Sequence, residues 1–271
     1  MAAPTKVAHF LTQLPSDRVS LFPLEQFVPF AIVVCVGIFV QSVAGFAAGL
    51  IIVPLMLLAG HGIPEAQAAL LVATIPQNIL GVYRFRESIE WSALRLPLVL
   101  RFIALPLGVL VLSAVDNFPV GVTRQLVGAI VIGCVVMLTM FQPKSRSDVH
   151  PGWTYLAFLS SGFFAGLTGT GGPMMVLWIQ LHAWSTKQIR GFLFAMYLAS
   201  LPIILGLLYW AFPSRVAQAT TSALALVPLL LLVTQAGLWV GTRLGRERLR
   251  SVTYMLLVIL GLMSLLSPLF K

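Results

Sequence analysis

The chain has 271 residues, of which 59% are hydrophobic and 9% charged, and its mean hydropathy is +0.97. Because a soluble domain carries about 25% charged residues, this composition excludes a soluble protein and predicts an all-α polytopic membrane protein. The formal net charge is +9, but the cations lie in short segments between apolar stretches, which indicates membrane topology rather than nucleic-acid binding.

Residues 1–25 lack a short apolar core followed by a small-residue cleavage site. We therefore expect no removable signal peptide and predict an extracytoplasmic segment here. The two cysteines, Cys35 and Cys134, have no metal-ligand spacing, so we predict no metal site, disulfide or cofactor. Apolar stretches near the roughly 20 residues that a bilayer helix needs lie at 66–83, 96–115, 119–141, 191–212, 219–242 and 251–270.

Two further apolar stretches are interrupted by small residues in a similar way. The first is GFAAGLIIVPLMLL, from Gly45 to Leu58, and the second is GFFAGLTGTGGPMMVLW, from Gly162 to Trp178. Each ends in a short apolar helix and is followed by a polar bend and three long spans. The pattern predicts two copies of one unit, with repeat 1 at 26–141, a cytoplasmic linker at 142–152 and repeat 2 at 153–271.

Lysine and arginine concentrate in four segments, 84–95, 144–146, 187–190 and 243–250, which the positive-inside rule places in the cytoplasm. All four segments can lie on the cytoplasmic side only if the two helical segments at each interruption return together to the side where they began, or cross the membrane twice. Each unit then crosses the membrane an odd number of further times, so the second unit lies upside down relative to the first. We therefore predict inverted-topology repeats, each with an interrupted or re-entrant helix pair followed by three long spans. We place the protein in the inner membrane with both termini extracytoplasmic. Such repeats are typical of secondary transporters, whose substrate lies near the midplane where the breaks meet.

The glycines before Pro173 predict a break in the membrane helix. A non-helical backbone in a bilayer exposes N–H and C=O groups that protein, water or a ligand must satisfy. A short helix starting at Pro173 would point free N–H groups and its positive dipole end at the break, and so attract an anion. The alternative is close helix packing, which fits Gly162 and Gly166. For the first stretch, where alanines occur, packing and a break are equal alternatives.

These two interruptions resemble the TauE/SafE family of sulfite and organosulfonate exporters, and the resemblance covers the chain from about Phe27. The second matches the family pattern G-x-G-G-P at Gly169, Gly171, Gly172 and Pro173. The first matches at Gly45 and Gly49, while Ala47 and Ala48 stand where the family commonly has glycine. The resemblance implies a multi-pass permease that exports sulfite, sulfoacetate or related small sulfur anions.

Polar side chains inside the predicted spans are few, and each is a candidate for substrate contact. Gln77 and Asn78, beside Pro76, could equally join helices, and Tyr197 and Ser200 occupy the corresponding span of the second copy. The predicted substrate-binding residues are Gln41, Ser42, Gly45, Gly49, Gln77, Asn78, Arg101, Thr168, Gly169, Thr170, Gly171, Gly172, Pro173, Tyr197 and Gln235.

Arg101 is a basic residue more than a turn inside a predicted span. Either its charge faces a transported anion, or its side chain snorkels to the cytoplasmic interface. The eight acidic residues all lie in or beside loops, so we predict no midplane carboxylate for proton or sodium coupling.

We therefore predict an alternating-access carrier for a small sulfur-containing anion, with that anion and the lipid bilayer as its partners and homo-oligomerisation left open. An anion channel, or a carrier for another carboxylate or oxyanion, could be built on the same frame. A membrane-embedded enzyme would need a metal cluster or a Ser/His/Asp set, and the scattered histidines and peripheral carboxylates do not supply one.

Overall fold

The computed structural model describes residues 21–44, 47–140, 150–243 and 246–267. In these ranges every regular element is a helix, as predicted, and a short 3-10 turn at Arg86–Ser88 joins two of them. The α-helices are α1 (Leu24–Ala44), α2 (Ala48–Leu58), α3 (Ile63–Phe85), α4 (Trp91–Val115), α5 (Val120–Met140), α6 (Pro151–Thr168), α7 (Gly172–Gln180), α8 (Thr186–Ala211), α9 (Pro213–Ala225), α10 (Val227–Arg243) and α11 (Arg246–Leu266).

Among the described residues, four helices, α1, α4, α5 and α8, are long and apolar enough to cross a bilayer, and α9 with α10 makes a fifth if the pair is one span. Their outer faces carry large apolar side chains, such as Ile103 at 66% and Trp210 at 75% exposure. Side chains of this kind are stable when lipid covers them. The chain is therefore a multi-pass membrane protein.

The predicted single span at 219–242 is wrong in detail, because α9 ends at Ala225 and α10 begins at Val227 with a bend of 63° between them. Pro228, the second residue of α10, explains the break. Proline has no backbone N–H to donate and fits the first turn of a helix rather than its interior. The other predicted spans fall within α3, α4, α5, α8 and α11, apart from a few residues at their ends.

The order of helices recurs along the chain. In α1–α5 and again in α6–α11, a long helix is interrupted, a short helix follows, and longer helices come after it. The second series differs from the first by the bend between α9 and α10. Residues 1–20 and 141–149, which hold most of the predicted N-terminal segment and linker, lie outside the described residues.

Two sets of polar contacts mark where helix ends meet. Gln188, in the first turn of α8, donates from Nε2 to Glu90 Oε1 just before α4, at 3.1 Å. The second set lies at the opposite ends of α3 and α8. There Arg215, at the start of α9, donates to both Glu65 oxygens, at 2.5 and 2.8 Å, and to Asp116 Oδ2 at 2.5 Å. Helix α3 therefore starts at the end of the molecule where α8 finishes.

Helices α4 and α6 pack closely through glycine. A Cβ on Gly162 would meet the carbonyl of Arg101, and one on Gly166 would meet the carbonyl of Leu105 and the Val109 nitrogen. Backbone atoms cannot move aside as a flexible side chain can. The packing interpretation of Gly162 and Gly166 is thus confirmed, and their close approach brings Arg101 on α4 next to the end of α6.

Candidate functional site

The second interruption is a helix break, as predicted. Helix α6 ends at Thr168, and its C-cap Gly169 has φ 70°. The Gly169 N–H donates to Ala165 O at 3.1 Å, and the Thr170 N–H donates to Phe164 O at 3.2 Å. This is a glycine-terminated C-cap, in which a left-handed residue satisfies the last helical carbonyls. The next helix, α7, begins at Gly172 with Pro173 in its first turn. No side chain of the described residues caps its N-terminus, so the free N–H groups of the first turn face the break.

The first interruption is also a break, which decides between the two alternatives left by the sequence. Helix α1 ends at Ala44 and α2 begins at Ala48, and between them Ala47 has φ 90°. Gly45 lies outside the described residues. A Cβ on Gly49 would meet the carbonyl of Gly169. The breaks of the two halves therefore touch each other at Gly49 and Gly169.

A cavity of about 60 Å³ lies between the two breaks. Helices α3, α4 and α8 complete its wall, so it draws on both halves of the chain. Ten of the predicted site residues line it, namely Gln41, Gly49, Asn78, Arg101, Gly169, Thr170, Gly171, Gly172, Pro173 and Tyr197.

Arg101 supplies the positive charge of this cavity. Its side chain is buried, with 2% of the residue exposed, so the snorkelling alternative is wrong. The guanidinium donates from Nε to Ser200 Oγ at 2.9 Å and from Nη1 to Ser161 Oγ. Each serine hydroxyl donates onward to a carbonyl, Ser161 to Gly171 O and Ser200 to Met196 O, both at 2.7 Å. The two hydroxyl groups therefore act as acceptors that hold the guanidinium in one orientation.

In the part of the chain that the structure describes, the charge of Arg101 is not matched by a carboxylate. Among the described residues, neither an ion pair nor a carboxylate in the cavity wall neutralises it. Met175 Sδ lies 3.7 Å from Nη1, and the two N–H bonds of Nη2 have no partner within the described ranges. A buried cation is costly unless it is paired and hydrogen-bonded. The cavity is thus electrostatically suited to an anion.

Four predicted residues do not line the cavity. Ser42 donates to Ile38 O at 2.7 Å and lies where α1 meets Gly237 of α10. Thr168 shares a hydrogen bond of 2.6 Å with Thr170, so its hydroxyl can support the cavity wall but does not form it. Gln77 is buried outside the lining. Gln235 is exposed. It follows the buried Thr234, and successive residues of an α-helix point about 100° apart, so Gln235 lies on a different face of α10 from Thr234.

Four polar side chains of the site were absent from the predicted set. Ser161 and Ser200 orient Arg101, and Gln67 and Thr74 line the cavity from α3. Together with Asn78, the last two lie at positions i, i+7 and i+11 of one helix, which is a single helical face. That spacing is the signal available in the sequence, and the structure places all three residues in the helix that begins at Ile63.

The two histidines that follow the short helices lie outside the cavity wall. His61, in the loop between α2 and α3, packs against Phe22 and Phe30, and burial lowers its pKa although the charge of nearby Glu65 acts in the opposite direction. His182 packs against Trp178 and Trp184. Aromatic packing accounts for both positions.

A comparison with family models matches residues 29–264 to the family described as sulfite exporter TauE/SafE. This match spans both breaks and all the helices that form the cavity. No curated protein and no solved structure matches the chain.

Proposed function

The chain belongs to the TauE/SafE family of sulfite exporters, and we propose that it moves small sulfur oxyanions, sulfite first among them, out of the cell through the cavity between its two helix breaks. The family makes the protein a membrane transporter. The observation that carries the assignment to this cavity is Arg101, a buried guanidinium that faces the cavity without a carboxylate partner among the described residues.

An anion would complete the electrostatics of this cavity. Its charge would balance Arg101, whose remaining N–H bonds match the oxygen atoms of an oxyanion. The first turn of α7, which begins at Gly172, adds the positive end of a helix dipole and the free N–H groups of its residues other than Pro173. Gln41, Asn78 and Thr170 supply hydrogen-bonding side chains on other sides of the same space. We assign substrate binding to these groups.

The cavity has room for a small occupant. Its volume of about 60 Å³ exceeds the roughly 10–15 Å³ that one water needs. We therefore assign it to sulfite, which has one sulfur and three oxygen atoms. Sulfoacetate, with four further heavy atoms, is the larger anion of the same class.

We further propose that α1–α5 and α6–α11 are inverted-topology repeats of an alternating-access carrier in the inner membrane, with both termini extracytoplasmic. The opposite directions of α3 and α8 support this arrangement, since these helices hold equivalent places in the two series. The Glu90–Gln188 end, next to Arg84 and Lys187, is then the cytoplasmic one. The membrane potential alone favours exit of an anion, by about 2.3 kcal/mol per charge per 100 mV.

The test replaces Arg101 by methionine, which keeps much of the volume and removes the charge. Arg95, exposed on the same helix α4, offers the matched control Arg95→Met. We expect Arg101→Met to abolish sulfite binding to purified protein, measured by calorimetry, and sulfite counterflow in proteoliposomes. Arg95→Met should keep both, and Arg101→Lys should bind weakly because an ammonium cannot present the same fork of N–H donors.

Two results would contradict the proposal. Unchanged sulfite binding in a folded Arg101→Met protein would place the site elsewhere. A sulfite current that rises linearly with concentration, with no counterflow, would indicate a channel instead of a carrier.

A further inference from the structure

Tyr197 brings a phenol hydroxyl to the start of α7. The residue lies in α8 and lines the cavity, and Gly172 lines the same cavity as the first residue of α7. A Cβ on Gly172 would lie 2.7 Å from Tyr197 Oη and 3.9 Å from Tyr197 Cζ. The hydroxyl group is therefore next to the positive end of the α7 dipole.

The guanidinium of Arg101 reaches the same end of α7. A Cβ on Gly171, the residue before Gly172, would lie 3.0 Å from Arg101 Nη1. Ser200, which accepts from Arg101 Nε, follows Tyr197 by three residues on α8. Residues three apart lie on one face of a helix. The charge of Arg101 and the hydroxyl of Tyr197 thus flank the two glycines at the start of α7.

The Tyr197 hydroxyl is a donor without an acceptor in the part of the protein that the structure describes. It forms no hydrogen bond there. It is also not one of the described polar atoms that are both sealed from water and unpaired, and the residue as a whole is partly exposed. The hydroxyl is therefore open to the space beside Gly172, which is the cavity. An acceptor for its hydrogen has to come from whatever fills that space.

We propose that Tyr197 is a specificity-determining residue, whose hydroxyl donates to one oxygen of a bound oxyanion while Arg101 and the first turn of α7 hold the others. This inference rests on the proposed function of the same cavity. Sulfite has three oxygen atoms, so the donor groups on α4, α7 and α8 each have an oxygen of their own. Chloride is a single atom, which is held mainly by the charge of Arg101 and the dipole of α7. Tyr197 then favours oxyanions over chloride.

The test is Tyr197→Phe, which removes the hydroxyl and leaves the ring. Because the hydroxyl has no partner among the described residues, the stability of the purified protein should not change. Sulfite affinity should fall about tenfold or more, as the loss of a hydrogen bond to a charged group implies. The inhibition constant of chloride as a competitor should change by less than about threefold, since the charge that holds chloride remains. Calorimetric titration with sulfite, in the absence and presence of chloride, measures both quantities.

Tyr209→Phe is the matched control. Tyr209 lies further along the same helix α8 and is 52% exposed, outside the cavity wall. Its substitution removes the same hydroxyl group from the same type of side chain. Sulfite affinity, chloride competition and stability should all keep their wild-type values.

Unchanged sulfite affinity in Tyr197→Phe, or an equal loss in Tyr209→Phe, would overturn the inference. A parallel loss of affinity for sulfite and chloride would overturn the selection of oxyanions. A large drop in the stability of Tyr197→Phe would show that the hydroxyl holds the fold instead of the substrate. By contrast, a wild-type protein that does not bind sulfite, or an Arg101→Met protein that binds it as the wild type does, would contradict the proposed function itself.

Discussion

Gly171 joins the second break to the arginine of the cavity, and adding one methyl group to it tests the geometry of the site. A Cβ at this position would meet the backbone carbonyl of Ser161 and would lie 2.8 Å from the Ala165 Cβ and 3.0 Å from Arg101 Nη1. The first two neighbours belong to the body of α6, and the third is held by two serines. None of them can move aside without disturbing the break.

The expected cost of Gly171→Ala has two parts. Forcing extra volume into a packed region costs about 1–3 kcal/mol. Displacing the break also strains the hydrogen bond from Ser161 Oγ to Gly171 O, which is 2.7 Å long and contributes about 1 kcal/mol. Together these predict a loss of about 2–4 kcal/mol of stability, and a marked loss of sulfite affinity because Arg101 shifts with its serine partner.

Gly206→Ala is the control for this substitution. Gly206 lies inside α8, and a Cβ there would meet nothing within 4 Å. Alanine at this position should stabilise the helix by about 0.5–1 kcal/mol. Unfolding of the purified variants in one detergent gives the stability difference, and titration with sulfite gives the affinity. If Gly171→Ala matched Gly206→Ala in both measurements, the packing described around Gly171 would be wrong.

Two further substitutions test other features of the fold. Ala47→Gly should stabilise the protein by about 0.5–1 kcal/mol, since Ala47 has φ 90° and a left-handed residue with a Cβ costs about 1–2 kcal/mol. Ala129→Gly, at an exposed position in the middle of α5, should destabilise by about 0.5–1 kcal/mol. A loss of stability from both substitutions would contradict the strain at Ala47. Glu65→Gln should lower stability by about 1 kcal/mol or less at low ionic strength, because the Arg215 side chain is 37% exposed and salt screens such a pair. Unfolding in low and high salt checks this, and a difference that does not shrink with salt would refute the electrostatic explanation.

The second break was predictable in unusual detail because each of its residues has a local reason to be there. Gly169 ends a helix in a conformation that favours glycine, and Pro173 fits the first turn of the next one. The first break was harder to predict, since Ala47 occupies the left-handed conformation without glycine. No local propensity distinguishes that arrangement from close packing of small residues.

The position of Arg101 in its span does not determine where its side chain lies. Its distance from the predicted helix end allows snorkelling, and its contacts with Ser161 on α6 and Ser200 on α8 hold the side chain inside the protein. Gln235 is the opposite case. A polar residue in an apolar helix predicts a position in the interior, but Gln235 lies on the exposed face of α10. Helix rotation depends on packing partners that one helix does not specify.

The sequence by itself determined the membrane class, the family, the second break and the start of the short helix that follows it. These follow from composition, from helix length and from the backbone preferences of glycine and proline, all of which act over a few residues. Only the tertiary structure decided that the two breaks touch at Gly49 and Gly169, that Arg101 enters the space beside them, and that Gln67 and Asn78 line that space from α3. Those features depend on how distant helices approach and rotate, which is set by contacts between residues far apart in the chain.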